Sequence, residues 1–331
     1  MSKVRIAING FGRIGRTTAR AILHNDALEL IAVNDLAEGA TLAHLFKYDS
    51  VHGKFKGNIE VGENLIRIDE KPVYLYSSKN PEDLPWSDLK IDVVIESTGI
   101  FRTKEAASKH ISAGAKKVII SAPPQGEGVK IVVMGVNDKS LTGDETILSN
   151  ASCTTNCVAP LVKVLDELWG IEIGHITTVH SYTSDQRLHD APHSDMRRAR
   201  AAAVSLIPTT TGAAEAIVKL FPHLEGKLNG YAIRVPVPDG SLTDFTCTLK
   251  RPVTKEEINA AFKNLAETEM TGILEYQNEP IVSVDIVGNS HSSIFDSLLT
   301  TVNGNTVKIV SWYDNEAGYS SRLADLAVKV G

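Results

Sequence analysis

The chain has 331 residues, 43% of them hydrophobic and 22% charged, which is typical of a globular protein long enough for two domains. Its formal net charge of -6 argues against nucleic acid or an anionic membrane as the main partner. No apolar run has the length of a membrane span and no signal-peptide pattern opens the chain, so we expect a cytoplasmic protein.

The first predicted elements are a short apolar strand over residues 4–9 and a helix over residues 16–23. Between them lie Gly10, Gly12 and Gly15 in the spacing G-x-G-x-x-G, which is weak evidence alone but much stronger between a strand and a helix. These glycines permit a tight turn, close approach of a pyrophosphate and close packing of the helix on the sheet. The pattern predicts a dinucleotide site with its phosphates at the helix N-terminus.

A second strand, over residues 28–33, ends at Asn34-Asp35. Asp35 lies 20 positions after Gly15, where a carboxylate accepts hydrogen bonds from an adenosine ribose. The same charge repels a 2′-phosphate, which favours NAD over NADP. The alternative interpretation of Asp35 is a solvated turn residue.

The rest of the first half predicts a parallel sheet with one interruption. Turn-rich segments between residues 49 and 86 indicate an antiparallel excursion. The regular elements are a helix over 41–48, strands over 91–96, 118–121, 131–134 and 146–149, and a helix over 103–113. Ligands bind at the carboxyl ends of such strands.

The chain then reaches the small polar stretch 149–157, which contains Cys153 and Cys157 and leads into an apolar helical pattern over 152–169. Ser152 is a plausible N-cap, which puts Cys153 in the first turn, where a thiol ionises more easily and becomes nucleophilic. The alternative is a small cysteine packed at a helix start. Three cysteines make no disulfide framework, and the C-x3-C spacing lacks further ligands, so we expect no metal site.

The second half alternates strands and helices differently. Predicted helices cover residues 201–207 and 211–220 around Pro208, 254–268 and 315–330. Predicted strands, mostly antiparallel, cover 173–180, 231–235, 242–249, 281–287 and 307–312, and a long polar loop covers 184–200. We expect a Rossmann NAD-binding domain over 1–150, joined by the C-terminal helix 315–331, and an α+β catalytic domain over 151–314.

Five motifs in this order resemble the bacterial type of phosphorylating glyceraldehyde-3-phosphate dehydrogenase, and the match runs from about Lys3 to the C-terminus. They are residues 7–16, 149–157, His180-Ser181-Tyr182-Thr183, Thr211-Gly212-Ala213-Ala214 and Trp312-Tyr313-Asp314-Asn315-Glu316. The resemblance implies a glycolytic or gluconeogenic enzyme that converts glyceraldehyde 3-phosphate, NAD and inorganic phosphate to 1,3-bisphosphoglycerate. It implies that Cys153 forms a thiohemiacetal and then a thioester, with His180 as its base.

The resemblance also implies the roles of the other site residues. Those matching the site of the attacking phosphate are Ser152, Thr154, Arg198, Thr211 and Gly212. Those matching the site of the substrate's C3 phosphate are Thr183 and Arg234, with Asp185 orienting Arg234. Those matching NAD contacts are Gly10, Gly12, Arg13, Ile14, Gly15, Asp35, Lys79, Ser121 and Asn315, the last holding the nicotinamide carboxamide.

The loop over 184–200 matches the family's S-shaped loop at subunit interfaces, so the resemblance implies a homotetramer. The chain departs from the family pattern at Val237-Pro238-Asp239-Gly240, where Thr-Pro-Asn-Val is expected, and at Ala317. Ala191-Pro192 resembles members that accept NADP, which predicts some NADP tolerance beside the NAD preference.

Two other functions fit parts of the same pattern. Erythrose-4-phosphate dehydrogenase shares the cysteine and the histidine, but Thr183 and Thr211 favour the glyceraldehyde phosphate enzyme. A nucleotide-binding module without catalysis predicts damage at Cys153, His180 or Arg234, and all three residues are present.

Overall fold

The computed structural model describes residues 2–331, which group into two compact units. The first unit comprises the chain up to Val132 together with Ser140–Ala151 and Ser320–Gly331. The second comprises Val133–Lys139 and Ser152–Tyr319. None of the helices within residues 2–331 combines the length and apolar character that a membrane crossing requires.

The first unit alternates strands with helices along most of its length. In chain order its elements are β1 Val4–Asn9, α1 Arg13–Leu23, β2 Leu28–Asn34, α2 Gly39–Lys47, β3 Tyr48–Asp49, β4 Gly53–Lys54, β5 Ile59–Val61, β6 Leu65–Ile68, β7 Lys71–Tyr76, a 3-10 turn Pro81–Asp83, β8 Val93–Glu96, α3 Lys104–Ser112, β9 Lys117–Ile120, β10 Lys130–Ile131, a 3-10 turn Asp138–Ser140 that crosses into the second unit's segment, and β11 Ile147–Ser149.

The main sheet of this unit has the strand order β10-β11-β9-β8-β1-β2-β7-β6-β5. Strand β1 pairs in parallel with β2 and β8, and β8 pairs in parallel with β9. Strand β6 runs antiparallel to β5 and β7, which is the antiparallel excursion predicted from the turn-rich sequence. The buried side chains of β1 and β8 explain why these strands are almost continuous apolar runs.

The second unit begins with a long helix and continues with a large sheet. In chain order its elements are α4 Cys153–Trp169, β12 Ile171–Ser181, a 3-10 turn Ala202–Val204, β13 Ile207–Thr209, α5 Ala213–Leu220, a 3-10 turn Pro222–Leu224, β14 Leu228–Val235, β15 Ser241–Leu249, α6 Lys255–Glu267, β16 Leu274–Gln277, a 3-10 turn Ser283–Ile286, β17 Ser293–Asp296, a 3-10 turn Ser297–Leu299, β18 Thr301–Asn303 and β19 Thr306–Tyr313, followed by α7 Ala317–Val330, which continues into the first unit's segment.

The sheet of the second unit has the order β13-β14-β12-β15-β19-β17-β16, with β18 paired to β19. Strand β15 is antiparallel to both β12 and β19, whereas β14 is parallel to β12. A parallel pair needs a crossover, and α5 lies in the connection between β12 and β14. The prediction of a Rossmann domain followed by an α+β domain with a mostly antiparallel sheet is confirmed.

The helix predicted over residues 201–207 is wrong. Only Ala202–Val204 forms a 3-10 turn, and Ile207–Thr209 is an edge strand antiparallel to β14. Pro208 disfavours a helical conformation in the residue before it and lacks a backbone N–H, which an edge strand tolerates. Pro208 is therefore the reason that this segment does not form the predicted helix.

The strand predicted over residues 281–287 is also wrong. This segment forms the 3-10 turn Ser283–Ile286, and Asp285 accepts a hydrogen bond from the backbone N–H of Val282 at 2.8 Å. Val282 and Val284 are 57% and 70% exposed whereas Ile286 is 2% exposed, so the alternating apolar residues that suggested a strand do not share one buried face. Strands β16, β17 and β18, which flank or follow this turn, were not predicted.

Candidate active site

Helix α4 begins at Cys153, as the sequence predicts. Ser152 is its N-cap residue, because its Oγ accepts a hydrogen bond from the backbone N–H of Thr155 at 3.0 Å. Ala151, just before the cap, has a φ of +55°, a left-handed conformation that costs an alanine roughly 1–2 kcal/mol. The largely buried thiol of Cys153 therefore sits in the first turn, where backbone N–H groups have no helical partners.

His180 lies near the end of β12, with its Nε2 3.3 Å from the Sγ of Cys153. Its Nδ1 lies 2.7 Å from the carbonyl oxygen of Ser181 and 3.1 Å from Nη1 of Arg234. Both hydrogens of that Nη1 have acceptors at 2.9 Å, the Ser181 carbonyl and the Thr183 hydroxyl. We therefore assign the ring proton to Nδ1, which leaves Nε2 to accept the thiol proton.

The environment of this pair favours uncharged groups. Burial raises the pKa of the Cys153 thiol, although the charge of Arg234 and the backbone N–H of Thr154 lower it. Burial also lowers the pKa of His180 to about 3, and the charge of Arg234 adds to that shift. The more acidic thiol predicted from the helix N-terminus is therefore wrong for the free protein, because burial outweighs the helix. A neutral imidazole beside a thiol is the form that accepts a proton.

Two arginines are linked through Asp185. Arg234 donates to Thr183, whose hydroxyl donates to Asp185, and Asp185 accepts from Nη1 of Arg198 at 2.5 Å. Asp185 thus pairs directly with Arg198 and reaches Arg234 only through Thr183, rather than orienting Arg234 itself. Burial raises the pKa of Asp185, but the Thr183 hydroxyl and the charges of Arg234 and Arg198 hold it below its ordinary value. Guanidinium groups and a hydroxyl held together in this way suit a phosphate.

The other predicted phosphate residues lie at two helix N-termini of the same unit. Gly212 is the exposed N-cap of α5, whose first N–H groups receive no side-chain cap from it, and the Thr211 hydroxyl accepts from the N–H of Ala213 at 3.3 Å. The Thr154 hydroxyl is buried against Tyr313 OH at 2.9 Å. Thr154 therefore has its backbone N–H, rather than its hydroxyl, to offer an anion.

The glycine loop of the first unit has the shape that a dinucleotide requires. Gly10 has a φ of +89°, and a Cβ there would lie 2.7 Å from the backbone N of Thr98. A Cβ on Gly15 would lie 2.2 Å from the carbonyl oxygen of Gly10, whereas one on Gly12 would meet open space. Gly12 is also the N-cap of α1 and provides no side-chain cap, so its helix N-terminus is left open. These residues fit a pyrophosphate.

The other residues of the first unit that are predicted to contact NAD follow its strands or open helix α1. Asp35 follows β2, and its carboxylate accepts from the N–H groups of Phe11 at 2.7 Å and Ala37 at 3.0 Å. Ser121 follows β9, Lys79 is exposed after β7, and Arg13 and Ile14 open α1 half-buried. The carboxyl ends of neighbouring parallel strands β9, β8, β1 and β2 thus converge on one edge of the sheet.

A buried polar network beneath this edge was not predicted. His110 accepts from Trp86 Nε1 at 3.0 Å through Nδ1, so its Nε2 carries the proton toward Glu96 Oε2 at 3.0 Å. Asn9 donates to the same carboxylate and accepts from Asn34 at 2.7 Å. The network fixes the ends of β1, β2 and β8, and the only sequence signal for it is a polar residue at each strand end.

Asn315 of the second unit lies directly after β19 and is 5% exposed. Its Oδ1 accepts hydrogen bonds from the hydroxyls of Ser181 and Ser241, each at 2.7 Å. Neither serine was predicted to have a role, because the partners of Ser181 lie 60 and 134 positions further along the chain.

Tyr313 is a further residue of the site that sequence reasoning missed. Its ring packs edge-on against His180, with 5.9 Å between ring centroids. Its hydroxyl lies 2.9 Å from Thr154 Oγ1 and 2.8 Å from Thr178 Oγ1, so it connects α4 to β12. The tyrosine therefore fixes the helix that carries Cys153 against the strand that carries His180.

The departure at Asp239 produces a buried cluster of acids. Asp314 accepts backbone N–H groups of Gly288, Glu316 and Ala317 at 2.6, 2.8 and 2.7 Å, which stabilises its charge. Asp239 is 1% exposed, and its pKa is raised to about 8 by burial and then by the charges of Asp314 and Glu316. We infer that Asp239 keeps its proton at neutral pH beside the carboxyl group of Asp314.

Comparisons with known proteins support one family. A model of the glyceraldehyde 3-phosphate dehydrogenase NAD binding domain matches residues 4–104, and a model of the C-terminal domain matches residues 152–315. Relatives named glyceraldehyde-3-phosphate dehydrogenase include those of Streptomyces avermitilis, Streptomyces coelicolor and Geobacillus stearothermophilus, which are 55%, 56% and 54% identical to this chain. Each alignment covers 99% of this chain and 98% of the relative.

The protonated state of Asp239 predicts a pH-dependent effect of Asp239→Asn. Between pH 4 and 8 the folded chain holds a proton that the unfolded chain releases, so this residue lowers the free energy of unfolding as the pH rises. The amide does not titrate, so the gain in free energy of unfolding of the variant over the wild type should be roughly 4 kcal/mol larger at pH 8 than at pH 5. Denaturant unfolding at both pH values measures the difference, with exposed Asp88→Asn as the control. A gain that is equal at the two pH values would contradict the assignment.

Proposed function

The chain belongs to the glyceraldehyde-3-phosphate dehydrogenase family, and from this premise we propose that Cys153 is the nucleophile of the reaction and His180 its base. The enzyme is an NAD-dependent oxidoreductase of glycolysis whose substrate is glyceraldehyde 3-phosphate. The observation that carries the proposal is the 3.3 Å separation of Cys153 Sγ and His180 Nε2 at the start of helix α4.

The proposed chemistry begins with addition of Cys153 Sγ to the aldehyde carbon. As the C–S bond forms, the thiol proton passes to Nε2 of His180, whose lowered pKa keeps it uncharged until that moment. When bound, NAD accepts a hydride from the same carbon. Loss of that hydride leaves a thioester on Cys153, and inorganic phosphate then attacks its carbonyl carbon, releasing the acyl phosphate and the thiolate.

We assign the binding of the two phosphates to the linked arginines and helix N-termini. Arg234 and Thr183 would bind the C3 phosphate of the substrate, because Arg234 lies against the catalytic histidine. Arg198, with Thr211 and Gly212 at the start of α5 and Ser152 and Thr154 at the start of α4, would bind the attacking phosphate. The supporting argument is chemical: guanidinium groups and open helix N-termini are the usual ligands of phosphate.

We also propose which residues bind NAD. Gly10, Gly12 and Gly15 would admit the pyrophosphate, and Arg13, Ile14, Lys79 and Ser121 would complete the site. Asp35 would accept the ribose hydroxyls, and Asn315 would donate to the nicotinamide carboxamide. The two alternatives, erythrose-4-phosphate dehydrogenase and a non-catalytic nucleotide-binding module, are not favoured by the names of the relatives. A cytoplasmic location stays a prediction.

We also propose a homotetramer in which the 184–200 loop lies at an interface. The loop is held by the bridge between Arg187 and Ala201, yet large apolar side chains on it and shortly after it face solvent. Leu188 and Met196 of the loop are 75% and 87% exposed in the single chain, and Val204, shortly after the loop, is 80% exposed. Clusters of exposed apolar side chains of this kind commonly mark protein interfaces.

NADH formation from glyceraldehyde 3-phosphate tests the catalytic assignment. Cys153→Ser should abolish the reaction because a hydroxyl forms no thioester, and His180→Asn should lower kcat/KM by about 10²- to 10⁴-fold. Cys247→Ala, a change at a buried cysteine of β15, is the control and should retain activity. Turnover in Cys153→Ser would contradict the thioester, and turnover without phosphate would indicate a non-phosphorylating enzyme.

The carboxylate of Asp35 predicts a higher kcat/KM with NAD than with NADP, with some activity remaining with NADP. Asp35→Asn keeps one oxygen acceptor and removes the charge that repels a 2′-phosphate. The ratio of kcat/KM with NAD to kcat/KM with NADP should therefore fall about tenfold. Steady-state kinetics with both cofactors measure the ratio. A wild-type enzyme that prefers NADP would overturn the assignment.

The proposed interface predicts that charges on the loop dissociate the assembly. The double variant Leu188→Asp, Met196→Asp should sediment as a smaller species than the wild type, because buried unpaired carboxylates oppose association. The control is Val61→Asp, at a half-exposed valine of the first unit. A wild type that sediments as a monomer at micromolar concentration would show the tetramer proposal to be wrong.

A further inference from the structure

The side-chain amide of Asn315 is held by two serine hydroxyl groups. The Oγ of Ser181 and the Oγ of Ser241 each donate to Asn315 Oδ1 at 2.7 Å. Asn315, Ser181 and Ser241 are 5%, 0% and 1% exposed, so bulk water does not compete for these bonds. Both acceptor positions of Oδ1 are therefore occupied by the protein itself.

The direction of these hydrogen bonds follows from their neighbours. Ser241 Oγ accepts the backbone N–H of Ser181 at 3.1 Å, and its own hydrogen goes to Asn315 Oδ1 at 2.7 Å rather than to the more distant Ser181 Oγ at 3.4 Å. If the amide were turned over, its N–H2 group would face the two hydroxyl oxygens, and the buried Ser181 hydroxyl would lose its acceptor, Asn315 Oδ1. Such a loss is costly in a buried site, so one orientation of the amide is strongly preferred.

The three residues are carried by rigid strand ends. Ser181 is the last residue of β12, Ser241 is the first of β15, and Asn315 follows Tyr313, the last of β19. Strand β15 pairs with β12 on one side and with β19 on the other, and Ser241 is the register partner of Tyr313. The pairing of three adjacent strands thus fixes where the two hydroxyls meet the amide.

We propose that Ser181 and Ser241 are positioning residues that hold the Asn315 amide with its Nδ2 turned toward the cofactor. Asn315 then recognises the carboxamide of NAD as a donor to its oxygen, since its own acceptor is already satisfied. This inference rests on the proposed contact between Asn315 and the nicotinamide carboxamide. It assigns to the two serines the orientation of that contact, and neither serine needs to touch the substrate or the cofactor.

The test measures equilibrium binding of two ligands to the full-length enzyme by calorimetry. One ligand is NAD, and the other is ADP-ribose, which lacks the nicotinamide. In the double variant Ser181→Ala, Ser241→Ala, the amide can turn over, so the NAD affinity should fall about tenfold while the ADP-ribose affinity stays unchanged. Each single variant should lose about threefold in NAD affinity. Ser297→Ala is the matched control, because Ser297 is a buried serine of the same unit that donates to the carbonyl of Gln277 at 2.8 Å.

Asn315→Asp separates the inference from the function it rests on. The aspartate keeps an oxygen that accepts from both serines but has no N–H to donate, so NAD binding should weaken and ADP-ribose binding should not. If Asn315→Asp leaves NAD binding intact, the proposed role of Asn315 is wrong and the inference fails with it. If Asn315→Asp weakens NAD binding and the double serine variant does not, only the positioning role is overturned. An equal loss of both ligands in the serine variant also overturns it, because the effect is then a general loss of structure.

Discussion

The pairing of β12 with its two neighbours is the constraint on which the candidate active site depends. The parallel register with β14 puts His180 opposite Arg234, and the antiparallel register with β15 brings Ser241 beside Ser181. A slip of one residue in either pairing would turn these side chains to the other face of the sheet. The carbonyl of Ser181 is the common acceptor of the histidine ring and the arginine, so the end of this one strand fixes the proposed base and a proposed phosphate-binding group together.

The same arrangement has to meet two electrostatic demands. A substrate phosphate requires a buried arginine, and a base requires an imidazole that is not already protonated. The positive charge of Arg234 serves both demands, because it attracts the anion and also lowers the pKa of His180. Burial raises the pKa of the Cys153 thiol, which favours its protonated form. A proton that moves from sulfur to nitrogen during attack avoids a separated charge in the resting site.

Local sequence patterns predicted the elements of the candidate site better than they predicted the segments outside it. The glycine loop between β1 and α1, Asp35 after β2 and the cap of α4 at Ser152 depend on residues close in sequence, so spacing alone was informative. The segments 201–207 and 281–287 were mispredicted because a proline and exposed valines overrode the periodicity. The hydrogen bonds of Tyr313 and Asn315 could not be predicted from the sequence, for a different reason. Tyr313 and Thr154 are 159 positions apart, and the strand order is what brings them together.

The segment Val237-Pro238-Asp239-Gly240 shows how a departure from the family pattern is accommodated. Gly240 has a φ of +85°, and a Cβ there would lie 2.4 Å from the carbonyl oxygen of Ser283, so a larger residue would displace the start of β15. Asp239 adds a carboxyl group beside Asp314, whose charge already satisfies three backbone N–H groups. Two buried carboxylates in contact repel, and the repulsion is removed when one of them keeps its proton. The protonated carboxyl group has nearly the shape of the amide expected there and can donate a hydrogen bond in the same way. We therefore expect Asp239 to keep a hydrogen-bonding group beside Asp314 and to make the stability of the chain depend on pH.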